Sequence, residues 1–223
     1  MTKRSVLDII YPPRCVFCRE FLKDGESAVC AECMRELPWT YARCEVPVAN
    51  CSGCVAPLEY RDNAAQALLR FKFAGRVTYA RCFAELMAES LRSHTDMDFD
   101  LVTWVPLAPV RYVKRGYSQS KLLASALARE LRLPKARLLV KKLDTQKQSG
   151  MSGAAARRAN VSGAFGPVGK GMRGKKILLV DDVVTTGATL SECALVLRVA
   201  GAAKVTAAAL CTAHKANRRI GRE

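Results

Sequence analysis

No stretch of the 223-residue sequence is apolar over the length that a helical bilayer crossing demands. No export leader is expected either. Lys3 and Arg4 are basic, but the apolar residues after them are interrupted by Asp8 and stopped by Pro12 and Pro13, so neither a long apolar core nor a small-residue cleavage site follows. The expected location is the cytoplasm. Internal repeats and low-complexity tracts are absent, and so is a G-x-x-x-x-G-K-[ST] string, which excludes a Walker A loop. Acidic residues are scarce over 111–176, where seventeen Lys and Arg meet only Glu130 and Asp144; residues 1–60 are near neutral, with seven Lys and Arg against eight Asp and Glu. One segment therefore supplies nearly all of the formal +16 charge. So dense an imbalance is either a solvated surface or a face for a polyanion, such as a pyrophosphate or a nucleic acid.

What is present is globular: 50% apolar and 25% charged residues, enough for one α/β domain and a small satellite. Seven of ten cysteines lie before residue 55. In a reducing compartment such thiols hold metal rather than pair as disulfides. Cys82, Cys193 and Cys211 stand alone in apolar sequence and suit buried packing. The expected division is a cysteine-rich module over 1–58 and a domain over 59–223.

Periodicity predicts helix over 62–93 with a break at Gly75, a strand over 100–105, a helix over 119–131, a short strand at 138–140, a strand over 176–180, a helix over 189–199 ended by Gly201, and a strand over 205–211. Residues 144–174, rich in Gly, Ser, Lys and Arg, predict a mobile loop. Strands alternating with helices mean a parallel sheet with crossover helices.

The most informative string is Ile177-Leu-Leu-Val-Asp181-Asp182-Val183-Val184-Thr185-Thr186-Gly187-Ala188-Thr189-Leu190. An apolar strand delivers two carboxylates, then a hydroxyl- and glycine-rich turn, then a helix start. Ligands of open parallel sheets sit at this end of the strands. Free N–H groups and the dipole at the helix start attract phosphate. Gly187 lets backbone approach closely, and Thr185, Thr186 and Thr189 can donate to phosphate oxygens. Asp181 and Asp182, one step away, can accept from sugar hydroxyls. This order resembles the phosphoribosyl-pyrophosphate (PRPP) motif of type I phosphoribosyltransferases, against the plainer reading of an acidic pair in another doubly wound protein.

Cys15-x2-Cys18 and Cys30-x2-Cys33 are two knuckles with a short spacer. Four thiolates suit a closed, structural zinc site; disulfides or reactive thiols are the alternative. Cys44, Cys51 and Cys54 offer three more, with His94 and His214 remote, so a second site is either degenerate or completed from a distance.

A cysteine-knuckle module followed by such a domain resembles the ComF family. Further strings carry the likeness: Y-P-P-R-C-x-x-C from Tyr11, L-L-R-F-K-F-A-G-R over 68–76, W-V-P-L-A-P-V-R-x-x-x-R-G-Y-S-Q over 104–119, and Q-S-G-M-S-x-x-x-R-R-A-N-V-S-G-A-F ending at Phe165. The family more often shows R-G-F-N-Q where Arg115-Gly116-Tyr117-Ser118-Gln119 stands, and Pro47 occupies a position where many members carry cysteine. The resemblance implies a type I phosphoribosyltransferase-like sheet with flanking helices behind a zinc ribbon. It implies PRPP and Mg2+ at residues 181–189, with Asp181, Asp182 and Arg115 as the reactive-centre candidates. Residues 105–109 would flank the pyrophosphate beside Arg111 and Arg115. Residues 144–165 would close over the ligand, with Gln148, Arg157 and Arg158 as contacts; Lys121 and Lys135 read as solubilising charge. In role, it implies a cytoplasmic factor that handles single-stranded DNA in natural transformation, with competence DNA-processing proteins as partners. Phosphoribosyl transfer to a nucleobase-like acceptor and PRPP sensing are the alternatives. Only Tyr112, Tyr117 and Phe165 are aromatic within the basic segment, a sparse stacking surface for single strands.

Overall fold

The computed structural model describes residues 12–40, 48–142, 163–169 and 171–213, without the side chains of Arg111 and Lys114. In chain order the elements are α1 (Ala31–Glu36), β1 (Cys54–Val55), β2 (Leu58–Glu59), α2 (Asp62–Phe73), α3 (Tyr79–His94), β3 (Leu101–Trp104), α4 (Pro109–Arg115), α5 (Gln119–Glu130), β4 (Leu139–Lys141), β5 (Phe165–Pro167), β6 (Lys176–Val184), α6 (Ala188–Val199) and β7 (Lys204–Thr212).

The central sheet is parallel throughout. β6 lies between β3 and β7, and β1 and β2 both pair with β7 at the edge. β6 and β7 are apolar on both faces because helices cover both, as a parallel sheet requires. On one face, Leu178, Val180, Ala208 and Leu210 meet α2, α3 and α5. On the other, Ile177, Leu179, Val205 and Ala207 meet α6 and the β4–β5 pair. Gly75, at φ +65°, breaks the helix over 62–93 into α2 and α3, as expected. Among the described residues no helix is long and apolar enough to cross a membrane.

Two expectations change. β6 does not stop at Val180 but runs through the acidic pair to Val184, because the edge of β7 continues alongside it. Part of the anticipated loop is a strand: β5 pairs antiparallel with β4, Phe165 opposite Lys141, despite a glycine and a proline in three residues. The cysteine-rich segment packs directly on the neighbouring helices. Val16, Phe17, Leu22 and Leu37 share one apolar core with Phe71 of α2 and Phe83 of α3, and the Phe17 and Phe83 rings lie 5.9 Å apart. A segment short of apolar bulk completes its core with the neighbouring helices. Its tail also enters the sheet through β1 and β2.

Candidate functional site

The acidic pair is met from the α2–α5 helical layer. The Ser120 hydroxyl, in the first turn of α5, donates to Asp181 Oδ1 at 2.8 Å, and the Asp182 N–H donates to the same oxygen at 2.8 Å. Lys72, in the last turn of α2, sets its Nζ 2.8 Å from Asp182 Oδ1, with both side chains largely buried. Burial, then the charge of Asp182, pushes the Asp181 carboxyl up to about 7, against the opposing pull of Ser120, the Asp182 N–H and Lys72. At neutral pH it is poised between an acceptor and a donor.

The turn after β6 is arranged as the sequence predicts. Val183 is half-buried, Val184 buried and Thr185 exposed; Thr186, Ala188 and Thr189 are half-buried around the buried Gly187. Gly187 caps α6 with φ +73°, ψ −6°, a left-handed conformation costly for a residue with a Cβ. Thr186 Oγ1 accepts weakly from the Ala188 N–H at 3.5 Å. The α6 start therefore opens toward the C-terminal end of β6, where its first N–H groups can take an anion.

A third set of residues lines the same end of the sheet. The Val105 N–H donates to the Val180 carbonyl at 3.0 Å, fixing the connector from β3 to α4. Gly116, at φ +75°, ends α4, and the Ser118 side chain caps α5. Arg115 Nη1 donates to Gln119 Oε1 at 3.1 Å, and its guanidinium stacks 4.8 Å from the centre of the Phe73 ring. The Gln119 amide donates to the Lys72 carbonyl at 3.3 Å, and the Tyr117 hydroxyl donates to the Phe71 carbonyl at 2.5 Å. Those carbonyls belong to the last turn of α2, which has no intrahelical partner for them. The segment over 115–119 therefore caps the helix that carries Lys72.

Lys72, Ser120 and Gln119 do not stand out in the sequence as site residues. Lys72 sits inside the 68–76 string that carries the family likeness, which is the signal that could have found it. Gln148, Arg157 and Arg158 lie outside the described residues, as do Cys44 and His214. Lys121 and Lys135 are exposed, as expected of solubilising charge. Cys82, Cys193 and Cys211 are buried packing residues.

The Sγ atoms of Cys15, Cys18, Cys30 and Cys33 all lie within 4.8 Å of one another. Cys18 and Cys30 are 3.7 Å apart. Zinc–sulfur bonds of about 2.3 Å in a tetrahedron put sulfurs roughly 3.8 Å apart, so the four thiols fit a structural Zn2+. Burial opposes ionisation of Cys15, but the N–H groups of Cys30, Cys18 and Phe17 bring its thiol down to about 7. Burial and the neighbouring thiols push Cys33 up. Four such groups become thiolates together only when a cation is present. Among the described residues, Cys51 and Cys54 gather no comparable cluster, and burial pushes the Cys51 thiol up to about 12.

Residues 118–221 match the model of the phosphoribosyl transferase domain, and residues 6–66 match that of the double zinc ribbon domain. Similar proteins include Competence protein F of Haemophilus influenzae, 29% identical over 86% of this chain and 93% of the relative. DNA utilization protein YhgH of Salmonella typhimurium is 30% identical over 84% of this chain and 90% of the relative. Competence protein ComFC of Streptococcus pneumoniae is 31% identical over 61% of this chain and 57% of the relative.

Proposed function

Because the chain belongs to the ComF family of competence and DNA-utilization proteins, we propose that it binds PRPP with Mg2+ at residues 181–189 and assists the handling of single-stranded DNA in the cytoplasm during natural transformation. Its parallel sheet with flanking helices is of the type I phosphoribosyltransferase kind, behind an N-terminal double zinc ribbon. We place the division between the two near residue 58.

The observation that carries the ligand reading is the succession along one strand–turn–helix: Asp181 and Asp182, then the threonine turn, then Gly187 in a left-handed conformation at the start of α6. The 5′-phosphate takes the N–H groups and hydroxyls of Thr185, Thr186 and Thr189. The ribose hydroxyls donate to the acceptor capacity that Ser120 and Lys72 leave open on Asp181 and Asp182. Arg115 and Lys72 face the pyrophosphate side as cations. Both carboxylates offer the oxygen donors that Mg2+ takes, yet both are already engaged by Ser120 and Lys72. Few protein donors would therefore be left to hold the ion beside the ligand. When bound, it neutralises charge that builds on the pyrophosphate.

Single-stranded DNA is the second ligand, supported by the basic stretch over 111–176 and by the competence and DNA-utilization roles for which the relatives are named. Competence DNA-processing proteins are the fitting partners. Calorimetric titration of the zinc-loaded chain with PRPP and Mg2+ tests the reading: saturable binding is expected, and none at millimolar ligand refutes it. Pyrophosphate release with a panel of nucleobases, measured separately, decides whether binding is followed by transfer.

A further inference from the structure

Two cations leave the last turn of α2 in different directions. Lys72 reaches Asp182 at the candidate ligand site. Arg70 turns to the cysteine module, where its Nη2 donates to the carbonyls of Val16 at 3.0 Å and Phe17 at 2.5 Å. Those carbonyls lie inside the first knuckle, between Cys15 and Cys18, whose thiols converge with Cys30 and Cys33. The two carbonyls sit in a tight turn beside the Arg14–Phe21 bridge, and the thiols on either side of them converge with Cys30 and Cys33, so a bound cation would tie this turn to the rest of the module.

Among the described residues the buried Nε of Arg70 has no hydrogen-bond partner, so the side chain is held at the knuckle through Nη2 alone. What the guanidinium supplies is direction: a planar fork fixes the helix end that carries it better than a flexible ammonium does. The far side of that helix end is held by Tyr117 and Gln119. The Lys72 backbone is thereby fixed from both flanks, and its side chain meets Asp182.

We infer that Arg70 is a positioning residue that anchors the end of α2 to the Cys15–Cys18 knuckle and so holds Lys72 against Asp182, coupling metal occupancy of the knuckle to ligand affinity at the acidic pair. This rests on the PRPP reading above. Lys72 is the group that meets ligand; Arg70 acts through it. Loss of zinc releases the two carbonyls, frees Arg70, and lets Lys72 leave Asp182. The ligand then meets a pair of carboxylates with no fixed counter-charge. Coupling between sites through one shared element is expected at about 5-fold or more in affinity.

The test is a double-mutant cycle on the zinc-loaded full chain, with PRPP and Mg2+ titrated calorimetrically into wild type, Arg70→Ala, Lys72→Met and the double variant. Zinc content and circular dichroism are followed in each. Arg70→Ala is expected to weaken binding about 5-fold or more while keeping its zinc, and to have no further effect once Lys72 is methionine. Arg70→Lys, which keeps the charge but loses the planar guanidinium, recovers part of the loss and carries the same cycle if Arg70→Ala does not fold. Chelation of zinc from wild type is expected to reproduce the Arg70→Ala loss. Undiminished binding in Arg70→Ala, or losses that simply add in the double variant, overturn the coupling while leaving the PRPP site intact. Silence of wild type itself overturns the PRPP reading and the coupling with it.

Discussion

The Ser120 hydroxyl and the Asp181 carboxylate meet at 2.8 Å, joining the first turn of α5 to the strand that ends at the candidate site. Their contact opposes the burial and the Asp182 charge that together push Asp181 up to about 7. The sign follows from the protonated form being favoured in the folded chain. Between about pH 4 and pH 7 the folded state holds a proton that the unfolded state has released, so this group's contribution to stability falls as pH rises through that window.

Ligand affinity moves the other way. An ionised Asp181 accepts from a sugar hydroxyl more strongly than a neutral one, so PRPP affinity is expected to rise as pH increases through about 7. Ser120→Ala moves the midpoint higher and Asp182→Asn moves it lower. Calorimetry from about pH 6 to about pH 8.5, a window that spans the expected midpoint, measures both shifts. Asp181→Asn is the control that separates this titration from that of the ligand phosphate; a midpoint that survives it belongs to the ligand.

Gly187→Ala forces a Cβ into the left-handed start of α6. The expected cost is about 1–2 kcal/mol of stability, read by denaturant unfolding, with PRPP binding reduced alongside. Thr186→Val removes a phosphate donor without that backbone cost, so it is expected to weaken PRPP by roughly 10-fold at unchanged stability. Equal unfolding midpoints and equal affinities in both variants would place the phosphate elsewhere.

Metal analysis of the purified chain is expected to give at least one zinc per molecule, lost in the Cys15→Ser, Cys30→Ser variant. Because Phe17 packs on Phe83 inside a common core, the damage spreads into α2 and α3. Releasing one buried aromatic costs about 3 kcal/mol or more, a fall in melting temperature of about 6–12 °C. Scanning calorimetry before and after chelation checks it; an unmoved main transition contradicts the shared core.

Single-stranded DNA is expected to bind with little sequence preference and with affinity that falls steeply with salt, because each neutralised phosphate releases counterions. Arg157→Glu with Arg158→Glu lowers affinity for all sequences alike and flattens the salt slope by about 1 for each phosphate left without its cation. Fluorescence anisotropy over a salt series measures the slope. Tight binding indifferent to ionic strength is the outcome this reading does not survive.

The acidic pair, the threonine turn and the four zinc-type cysteines were legible because each is local: the groups that act together are neighbours in the chain. Lys72 and Ser120 were not, since their partners lie far along the sequence, Ser120 being 61 residues from Asp181, and a lysine or serine at a helix end has many ordinary uses. β5 escaped because Phe165-Gly166-Pro167 has weak strand propensity and forms only by pairing with β4. In the sequence β6 ends at Val180, because two carboxylates look like a strand terminus; in the fold the neighbouring edge of β7 carries it on to Val184. The departure at Tyr117 reads from sequence as a mild change from phenylalanine. In the fold it adds a hydroxyl that caps the Phe71 carbonyl.

β1 and β2 are hydrogen-bonded to β7, the strand at the opposite end of the described chain. On the ribosome, roughly 8–30 s separate the emergence of those partners, at about 5–20 residues per second. The four thiols between Cys15 and Cys33 have no such wait, since all of them are available once the first few dozen residues are out. Metal capture can therefore precede closure of the sheet, so that Val16 and Phe17 can be in place before α2 is made to dock on them.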